Sequence, residues 1–239
     1  MPRLVKKTAQ KAVKESAKKP ATRDDGRSSR WDDHREARRA ELVDAAVAAI
    51  DEHGPSAGIA EIAASAGVSK PVLYRYFTDK DDLYRAVGAW GANAVIEGLL
   101  PVLVSDRPIR ERVELGCDAY LKLISRHPHV FFLLVEHPTN EDPLADGKEM
   151  VAATISRTLG DALRDLGVDA AGAEPWAHGL VGLGLSTGEW WLRRHTMSRT
   201  AVSAYLSSFI WHAFEGIARE NGVRVDSQGR LRLVDGKGR

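Results

Sequence analysis

The chain has 239 residues, of which 44% are hydrophobic, and a net charge of +1, so it can hold one small and one medium domain with a buried core. Its single cysteine, Cys117, excludes an internal disulfide and a cysteine-rich zinc site, so we expect a reducing cytoplasm. No stretch approaches the ~20 consecutive apolar residues of a membrane span, and no apolar run of a secretory signal follows the basic start, so we expect no membrane partner.

The charge is unevenly distributed along the chain. Residues 1–30 carry ten basic and three acidic side chains, a net charge of +7, and the rest of the chain carries −6. Because residues 1–30 have little to bury, they are predicted to be a disordered basic tail. Two interpretations stay open: an arm that binds phosphates or the minor groove, and a solvated extension with little part in specific binding.

The first predicted helix begins near Asp32 and ends at Gly54 and Pro55. One face of it is apolar and the opposite face is charged, which is typical of a helix packed on one side. Its early arginines either reach DNA or form a solvated surface, which is the commoner meaning of such a run. The apolar residues are Leu42, Val43, Ala46, Val47 and Ile50, and the charged ones include Arg35, Arg38, Arg39 and Glu41.

Residues 59–77, IAEIAASAGVSKPVLYRYF, have the pattern of a helix-turn-helix. Gly67 marks the turn, Ser69 is placed to cap the second helix, and Pro71 lies in that helix's first turn. Leu73 and Phe77 are four residues apart and are expected to point inward. The first helix is predicted from an apolar stripe at three-and-four spacing, formed by Ile59, Ile62, Ala63 and Ala66.

The outer arc of the second helix is predicted to contact DNA in the major groove. Arg75 can bind guanine with two hydrogen bonds, and the apolar faces of Pro71 and Val72 can meet thymine methyl groups. Lys70 suits either a base or a phosphate. The donors suited to phosphates are Ser69, Tyr74, Tyr76 and Lys80. For the two tyrosines the alternative is that they pack the helix pair.

The segment AGVSKPVLYRYFTDKDDLYRAV resembles the DNA-binding signature of the TetR family of bacterial transcriptional regulators, over about residues 35 to 87. The resemblance implies an all-α fold, with a three-helix DNA-binding head and a larger helical body for ligand binding and dimerisation. It also implies a homodimer that represses transcription until a ligand releases it. By the same resemblance, Ser69, Tyr74, Tyr76 and Lys80 contact phosphates, and Lys70, Pro71 and Val72 face bases. The chain departs from the family at Ser56, Ala57 and Gly58, where a serine or threonine often caps the helix and touches a phosphate.

Cap and breaker residues predict the helices of the body. Asp79 caps a helix that ends near Pro101, Asp106 and Pro108 open the next, and a short apolar piece spans residues 130–135. Further helices run from Asp142 and Pro143 to Gly167, from about 173 to 194 and from about 198 to 221. Residues 223–234 are either a small hairpin or a loose tail. The predicted domains are a basic tail (1–30), the helix-turn-helix head (31–78), the helical body (79–222) and a C-terminal tail or hairpin (223–239).

The last two long helices are predicted to form the dimer interface, as a four-helix bundle with a second copy. A two-fold dimer predicts a palindromic operator with half-sites ~34 to 36 Å apart, or a multiple of that distance. The alternative is that the same residues only pack within one subunit. The predicted interface residues are Gly182, Trp190, Val202, Leu206, Phe209 and Ile217.

A ligand cavity is expected in the body, with apolar and aromatic walls and a few polar anchors. Such a lining indicates a lipophilic effector. After residue 30 the chain has 19 Arg against 5 Lys, typical of a G+C-rich genome such as an actinobacterium, which favours a fatty-acyl or hydrocarbon-derived effector. The candidate pocket residues are Trp90, Cys117, Tyr120, His127, Phe131, Phe132, Trp176 and Glu189.

Two further patterns in the sequence are candidates for a catalytic site and a metal site. Residues 184–188 spell GxSxG around Ser186, but a hydrolase elbow needs a strand before the serine, and a helix is predicted here. His127, His129 and His137 lack a carboxylate at ligand spacing, so capping or core roles are favoured. We therefore expect no catalytic residues, no metal site, no cofactor and no enzyme activity. The alternative function is a sequence-tolerant architectural DNA-binding protein.

Overall fold

The structure is a computed structural model that describes residues 25–136 and 142–233. Side chains are described from residue 33 onward. The chain divides into two units, residues 1–41 and residues 42–239, and the packing below lies within the second. This described part is all-α apart from one hairpin, as predicted. The elements are α1 Asp25–His53, α2 Ile59–Ser65, α3 Lys70–Leu73, α4 Lys80–Leu103, α5 Ile109–Arg126, α6 Pro128–Glu136, α7 Ala145–Asp165, α8 Ala173–Arg194, α9 Arg199–Glu220, β1 Val223–Val225 and β2 Leu231–Leu233.

Helix α1 begins earlier than the sequence predicted. It starts at Asp25 rather than near Asp32, so the last residues of the predicted basic tail, 25–30, are helical. Extending an existing helix fixes one residue per hydrogen bond, so a polar segment can continue a helix that packing has already stabilised. Residues 1–24 of the tail lie outside the described part. At the other end, the helix stops at His53 and Gly54 takes a positive φ of 89°.

The turn between α2 and α3 has the predicted glycine. Gly67 has φ of 63°, a conformation that a side chain disfavours. The N–H of Val68 donates to the carbonyl of Ala63 at 2.9 Å, and the N–H of Gly67 to that of Ala64 at 3.0 Å, so the last turn of α2 is satisfied. The turn therefore fixes the angle at which α3 leaves α2.

A first hydrophobic core joins these head helices to α4 and α6. Ile62 of α2, Leu73 of α3 and Phe77 are almost fully buried, as predicted, against Leu42, Ile50 and other residues of α1. Leu83 and Val87 of α4 and Leu133 of α6 belong to the same cluster. The head and the start of the body thus share one buried apolar surface.

Glu61 replaces the serine or threonine that the sequence lacks before α2. The residue at the N-cap position is Gly58, and its N–H donates to Oε2 of Glu61 at 2.9 Å. The backbone N–H groups of Glu61 and Gly58 lower the pKa of the Glu61 carboxyl, because both donate to its ionised form. Ser56 does not cap this helix.

Helix α4 connects the head to the body and runs past Pro101, where the sequence predicted its end. Asp79 caps it as expected, by accepting from the N–H of Asp82 at 2.7 Å. Pro101 is tolerated because it lies two residues before the end of the helix, so its missing N–H and the crowding by its ring disturb only the last turn. By length and composition alone α4 is apolar enough to cross a membrane. Its apolar residues instead enter the first core near Leu83 and line a cavity further on, at Val95 and Leu99.

Helices α4 and α7 cross closely at two glycines. A Cβ on Gly88 would lie 2.3 Å from the carbonyl oxygen of Pro143, and one on Gly147 would lie 3.3 Å from the carbonyl oxygen of Gly88. Neither position has room for a side chain without a backbone shift. This crossing holds α7 against α4 as one wall of the body.

A β-hairpin follows α9. Of the two alternatives that the sequence left open for residues 223–234, a hairpin or a loose tail, the structure has the hairpin. Val223 pairs with Leu233 and Val225 with Leu231 in an antiparallel register. Val223 is buried, and the carbonyl of Gly229 accepts from the N–H of Ile109 at 3.1 Å. The hairpin is therefore tied to the start of α5.

Candidate DNA interface and ligand cavity

The predicted DNA-contacting side chains surround the short helix α3 and the turn that follows it. Leu73 and Phe77 anchor this segment in the first core, each with 1% of its surface exposed. The remaining side chains are therefore turned outward. Ser69, Lys70, Pro71, Tyr74, Arg75 and Lys80 are exposed, and Val72 and Tyr76 are half-buried; we call these eight residues the recognition face.

Three details of the recognition face bear on its chemistry. Ser69 occupies the N-cap position of α3, but its hydroxyl makes no cap hydrogen bond, so the predicted capping role is absent and the exposed hydroxyl can meet a phosphate. The ammonium of Lys80 lies 5.0 Å from the centre of the Tyr84 ring. Tyr76 packs on the first core, as the alternative interpretation holds, whereas Tyr74 is 48% exposed.

A cavity of about 370 Å³ lies in the body, lined by residues from α4 to α9 and the hairpin. Its size is at the lower end of the range for small-molecule sites. Helices α4 to α9 and both strands of the hairpin contribute to its walls. Six predicted pocket residues line it: Trp90, Cys117, Tyr120, His127, Phe131 and Trp176.

Phe132 and Glu189 do not line the cavity, which corrects the prediction for both. Phe132 follows Phe131 and is turned by a further 100° around α6, where its ring lies under the Arg193 guanidinium at 5.3 Å. Glu189 faces the same arginine and accepts from its Nε at 3.1 Å. On α8, Gly184 lines the cavity next to Tyr120, together with Leu180 and Val181.

Cys117 and Tyr120 present neutral polar atoms to the cavity. Burial raises the pKa of the Cys117 thiol to about 12, with a smaller contribution from the carboxylate of Glu114. Burial also raises the pKa of Tyr120, whose hydroxyl donates to the carbonyl of Gly184 at 2.8 Å. Both groups therefore stay protonated at neutral pH, and this part of the wall carries no charge.

Several polar lining residues were not predicted from the sequence. Arg112 and Lys148 bring positive charges, and Glu215 on α9 brings a carboxylate. Lys148 forms an ion pair with Asp142. Thr158 and Asn221 also line the cavity.

His127 links the cavity wall to the head. Its Nδ1 lies 2.6 Å from Oδ2 of Asp51, a residue of α1, and its ring meets Trp90 edge-on with centroids 5.1 Å apart. The next histidine, His129, places Nδ1 3.0 Å from the carbonyl oxygen of Asp51. The second carboxylate oxygen of Asp51 is buried without a hydrogen-bond partner among the described residues. These two histidines thus contact Asp51, and His137 lies outside the described part.

Large apolar side chains are exposed on the last two long helices. Trp190 of α8 is 44% exposed, and Tyr205 and Phe209 of α9 are 69% and 65% exposed; we call these three residues the outer apolar face. Gly182 of α8 is exposed as well. The chain leaves these residues uncovered, which is typical of an interaction surface.

The remaining predicted interface residues point inward. Val202 and Leu206 are 3% and 7% exposed, and Leu206 and Ile217 line the cavity. Around α9, Tyr205 and Phe209 lie within about 60° of Val202, so the buried and the exposed residues are neighbours on the helix and the edge of the subunit's own packing runs between them. Of the predicted interface residues, Val202, Leu206 and Ile217 therefore face the interior of the subunit.

The GxSxG pattern lies wholly inside α8, with Ser186 exposed on its surface. A nucleophile elbow requires a strand that turns sharply into a helix, and α8 is continuous through all five residues. The geometry of a hydrolase nucleophile is therefore absent at Ser186.

Two family models match the chain, one over the head and one over the body. Residues 42–87 match the family described as bacterial regulatory proteins, tetR family, and residues 99–225 match the tetracyclin repressor-like C-terminal domain. An uncharacterised HTH-type transcriptional regulator of Mycobacterium tuberculosis is 34% identical over 202 residues, 83% of this chain and 86% of the relative. The HTH-type transcriptional activator FasR of Mycolicibacterium smegmatis is 31% identical over 161 residues, 66% of this chain and 74% of the relative. The crystal structure of the regulator FadR from Bacillus subtilis in complex with stearoyl-CoA has a TM-score of 0.56 and 18% identity, and covers 72% of this chain and 96% of that one.

Proposed function

Because the chain belongs to the TetR family of bacterial transcriptional regulators, we propose that it is a cytoplasmic, homodimeric repressor, released from a palindromic operator by a lipophilic molecule of fatty-acyl type. The observation that carries this proposal is the cavity in the body. A regulator that responds to a ligand needs a site for it, and this site is separate from the recognition face. No catalytic step is part of the proposal.

The lining of the cavity supports a lipophilic ligand. Most lining side chains are aliphatic or aromatic, from Val95 and Leu99 on α4 to Val225 in the hairpin. Burying a methylene group of a ligand there contributes about 0.8 kcal/mol, so affinity should rise with chain length until the cavity is full. The stearoyl-CoA bound to FadR is a ligand of this kind in a protein of the same fold.

The recognition face supports the DNA contact. Arg75 is exposed beside Pro71, with the cation and the apolar surface that base edges in the major groove can take. Ser69, Tyr74 and Lys80 lie around them as phosphate donors. Two recognition faces, one from each subunit, would bind the two halves of a palindrome.

The outer apolar face supports the dimer. Trp190 and Phe209 are exposed on the two helices for which the sequence predicted the interface. Burying aromatic side chains of this size against a second copy is a strong source of interface energy. In this proposal Trp190 and Phe209 keep their predicted role, and Tyr205 takes the place of Val202 and Leu206.

The contact between His127 and Asp51 supports a route from ligand to DNA. A ligand that displaces His127 or Trp90 would disturb the hydrogen bond to Asp51 in α1 and, with it, the position of the head. Helix α4 carries the same displacement directly, because it both lines the cavity and enters the first core. Allosteric coupling of this type is typically 1 to 3 kcal/mol, which is roughly 5- to 150-fold in affinity.

The decisive experiment measures operator affinity with and without an effector. A binding sequence is selected from random DNA, and its dissociation constant is measured at fixed salt in the presence of palmitic acid, palmitoyl-CoA or neither. We expect a palindromic site that outcompetes random DNA by at least ~10³, and a loss of affinity of roughly 5- to 150-fold with one of the two lipids. Equal affinity for random DNA would favour the architectural alternative. An operator affinity that neither lipid changes would remove the proposed effector class, and an increase would contradict release of the operator by the ligand.

A pair of variants tests whether the contact between His127 and Asp51 transmits the effect of the ligand to the head. Asp51→Asn keeps the shape of the side chain but removes the charge that faces His127, and we expect it to reduce the effect of the lipid on DNA binding. Glu52→Gln, at the exposed neighbouring position, should leave that effect unchanged. A ligand effect of the same size in both variants would rule out this contact as the route.

A further inference from the structure

Arg112 is set apart from the other basic side chains of the cavity. Within the described residues, the basic residues of the lining are Arg112, His127 and Lys148. His127 faces Asp51 and Lys148 pairs with Asp142. Arg112, in the same described ranges, forms no ion pair with a carboxylate.

The hydrogen bonds of Arg112 hold one edge of its guanidinium and leave the other open. Its Nη1 donates to the carbonyls of Leu103 at 2.6 Å and Ser105 at 3.3 Å, at the end of α4. In the part of the chain that is described, no hydrogen bond starts from its Nη2 or Nε. These two groups point in parallel from one edge of the guanidinium, so they can donate together to two oxygens of one anion.

Partial burial beside apolar side chains makes the charge of Arg112 energetically unfavourable unless an anion binds next to it. Arg112 is half-buried, and burial lowers its pKa while the carboxylate of Asp106 opposes that change. Ile109, one turn before Arg112 on α5, and Val113, the next residue, are apolar and line the cavity too. The lining holds one carboxylate among the described residues, that of Glu215, which is exposed on α9 and therefore screened by solvent. A charge held beside apolar walls is stabilised by an opposite charge that arrives with the ligand.

We propose that Arg112 binds the anionic oxygen group of an aliphatic ligand, whose chain lies along the apolar walls towards Trp90 and Phe131. This inference rests on the proposed function and adds the chemistry of the ligand's polar end. The anionic oxygen group can be the carboxylate of a free fatty acid or a phosphate of an acyl-CoA. Lys148 does not take this role, because Asp142 already neutralises it.

The experiment compares ligands that differ only in charge. Binding of palmitic acid and of hexadecanol is measured by calorimetry on the unmodified dimer and on Arg112→Met. We expect the unmodified protein to bind the acid roughly 10- to 100-fold more tightly than the alcohol, the range for hydrogen bonds to a charged group. Arg112→Met should bind both with the affinity of the alcohol, and Arg112→Lys should keep part of the preference.

The ratio within each variant separates anion binding from a structural role. Arg112→Met also removes the hydrogen bonds to α4, but any loss of folded protein lowers acid and alcohol binding alike and leaves their ratio unchanged. Arg126→Met is the matched control, because Arg126 is exposed at the far end of α5. A second pair, palmitoyl-CoA against palmitoyl-pantetheine, tests the phosphate source with the same variants.

The outcomes distinguish this inference from the proposed function. A preference for the acid or for the CoA ester that disappears in Arg112→Met alone supports the inference and names the source of the anion. Ligands bound with equal affinity, whether charged or not, would overturn the inference and leave a lipophilic effector in place. A preference that survives in Arg112→Met would place the anion elsewhere in the cavity. If none of the four compounds binds, the effector class itself is wrong.

Discussion

Replacement of Gly88 by alanine should destabilise the body more than the same change one turn further along α4. A Cβ at Gly88 would lie 2.3 Å from the carbonyl oxygen of Pro143, whereas one at Gly91 would lie 3.8 Å from a methyl group of Leu134, an ordinary contact. Alanine favours the helix over glycine by about 1 kcal/mol at both positions, so this gain cancels in the comparison. The difference is the cost of moving the Pro143 carbonyl, two residues before α7, away from α4, about 1 to 3 kcal/mol for a single inserted group.

The measurement is thermal or denaturant unfolding of Gly88→Ala and Gly91→Ala at the same protein concentration, since a dimer's stability depends on concentration. At roughly 2 to 4 °C per kcal/mol for a chain of this size, Gly88→Ala should melt several degrees below Gly91→Ala. Equal melting temperatures, or a higher one for Gly88→Ala, would show that the crossing of α4 and α7 is not as close as described.

Three further predictions concern DNA, the dimer and the cavity. Arg75→Ala should weaken binding to the selected operator by about 1 to 3 kcal/mol and affect random DNA much less, as measured by competition; a uniform loss would assign Arg75 to phosphates. Phe209→Glu places a charge on a side chain that is 65% exposed, and light scattering should then detect monomers at concentrations where the unmodified protein is dimeric; an unchanged mass would exclude this position from the interface. Burial raises the pKa of Cys117 to about 12, so its alkylation rate should keep rising about tenfold per pH unit from pH 8 to 10 while that of free cysteine levels off near pH 9; parallel profiles would mean that the thiol is exposed to solvent.

The sequence predicted the head well because its signals are local. Gly67 needs a positive φ, Pro71 suits a first helical turn, and Leu73 and Phe77 are one helical turn apart. Each of these depends on a few neighbouring residues. The cap at Asp79 was predicted for the same reason.

The cavity was harder to predict because it depends on which way each helix is turned. Phe131 and Phe132 are both aromatic neighbours, yet one lines the cavity and the other packs under Arg193. Arg112 resembles any exposed arginine in the sequence, and its contact with the end of α4 joins residues nine apart across a loop. No local pattern carries that information.

The predicted dimer interface illustrates the same limit. Val202 and Leu206 form a regular apolar stripe with Ile217, and a stripe shows that one side of a helix is buried without showing against what. Here that side faces the subunit's own cavity and core. The exposed aromatic residues Tyr205 and Phe209 lie directly beside this stripe on α9, and only the structure shows that they are left uncovered.

The C-terminal hairpin has a consequence for how the protein is made. Val223, Val225 and Leu231 complete the cavity wall, and they follow every helix in the chain. Domains fold in order as they leave the ribosome, so the helix-turn-helix emerges while the cavity still lacks one side. The cavity is therefore the last part of the described chain to be completed during synthesis.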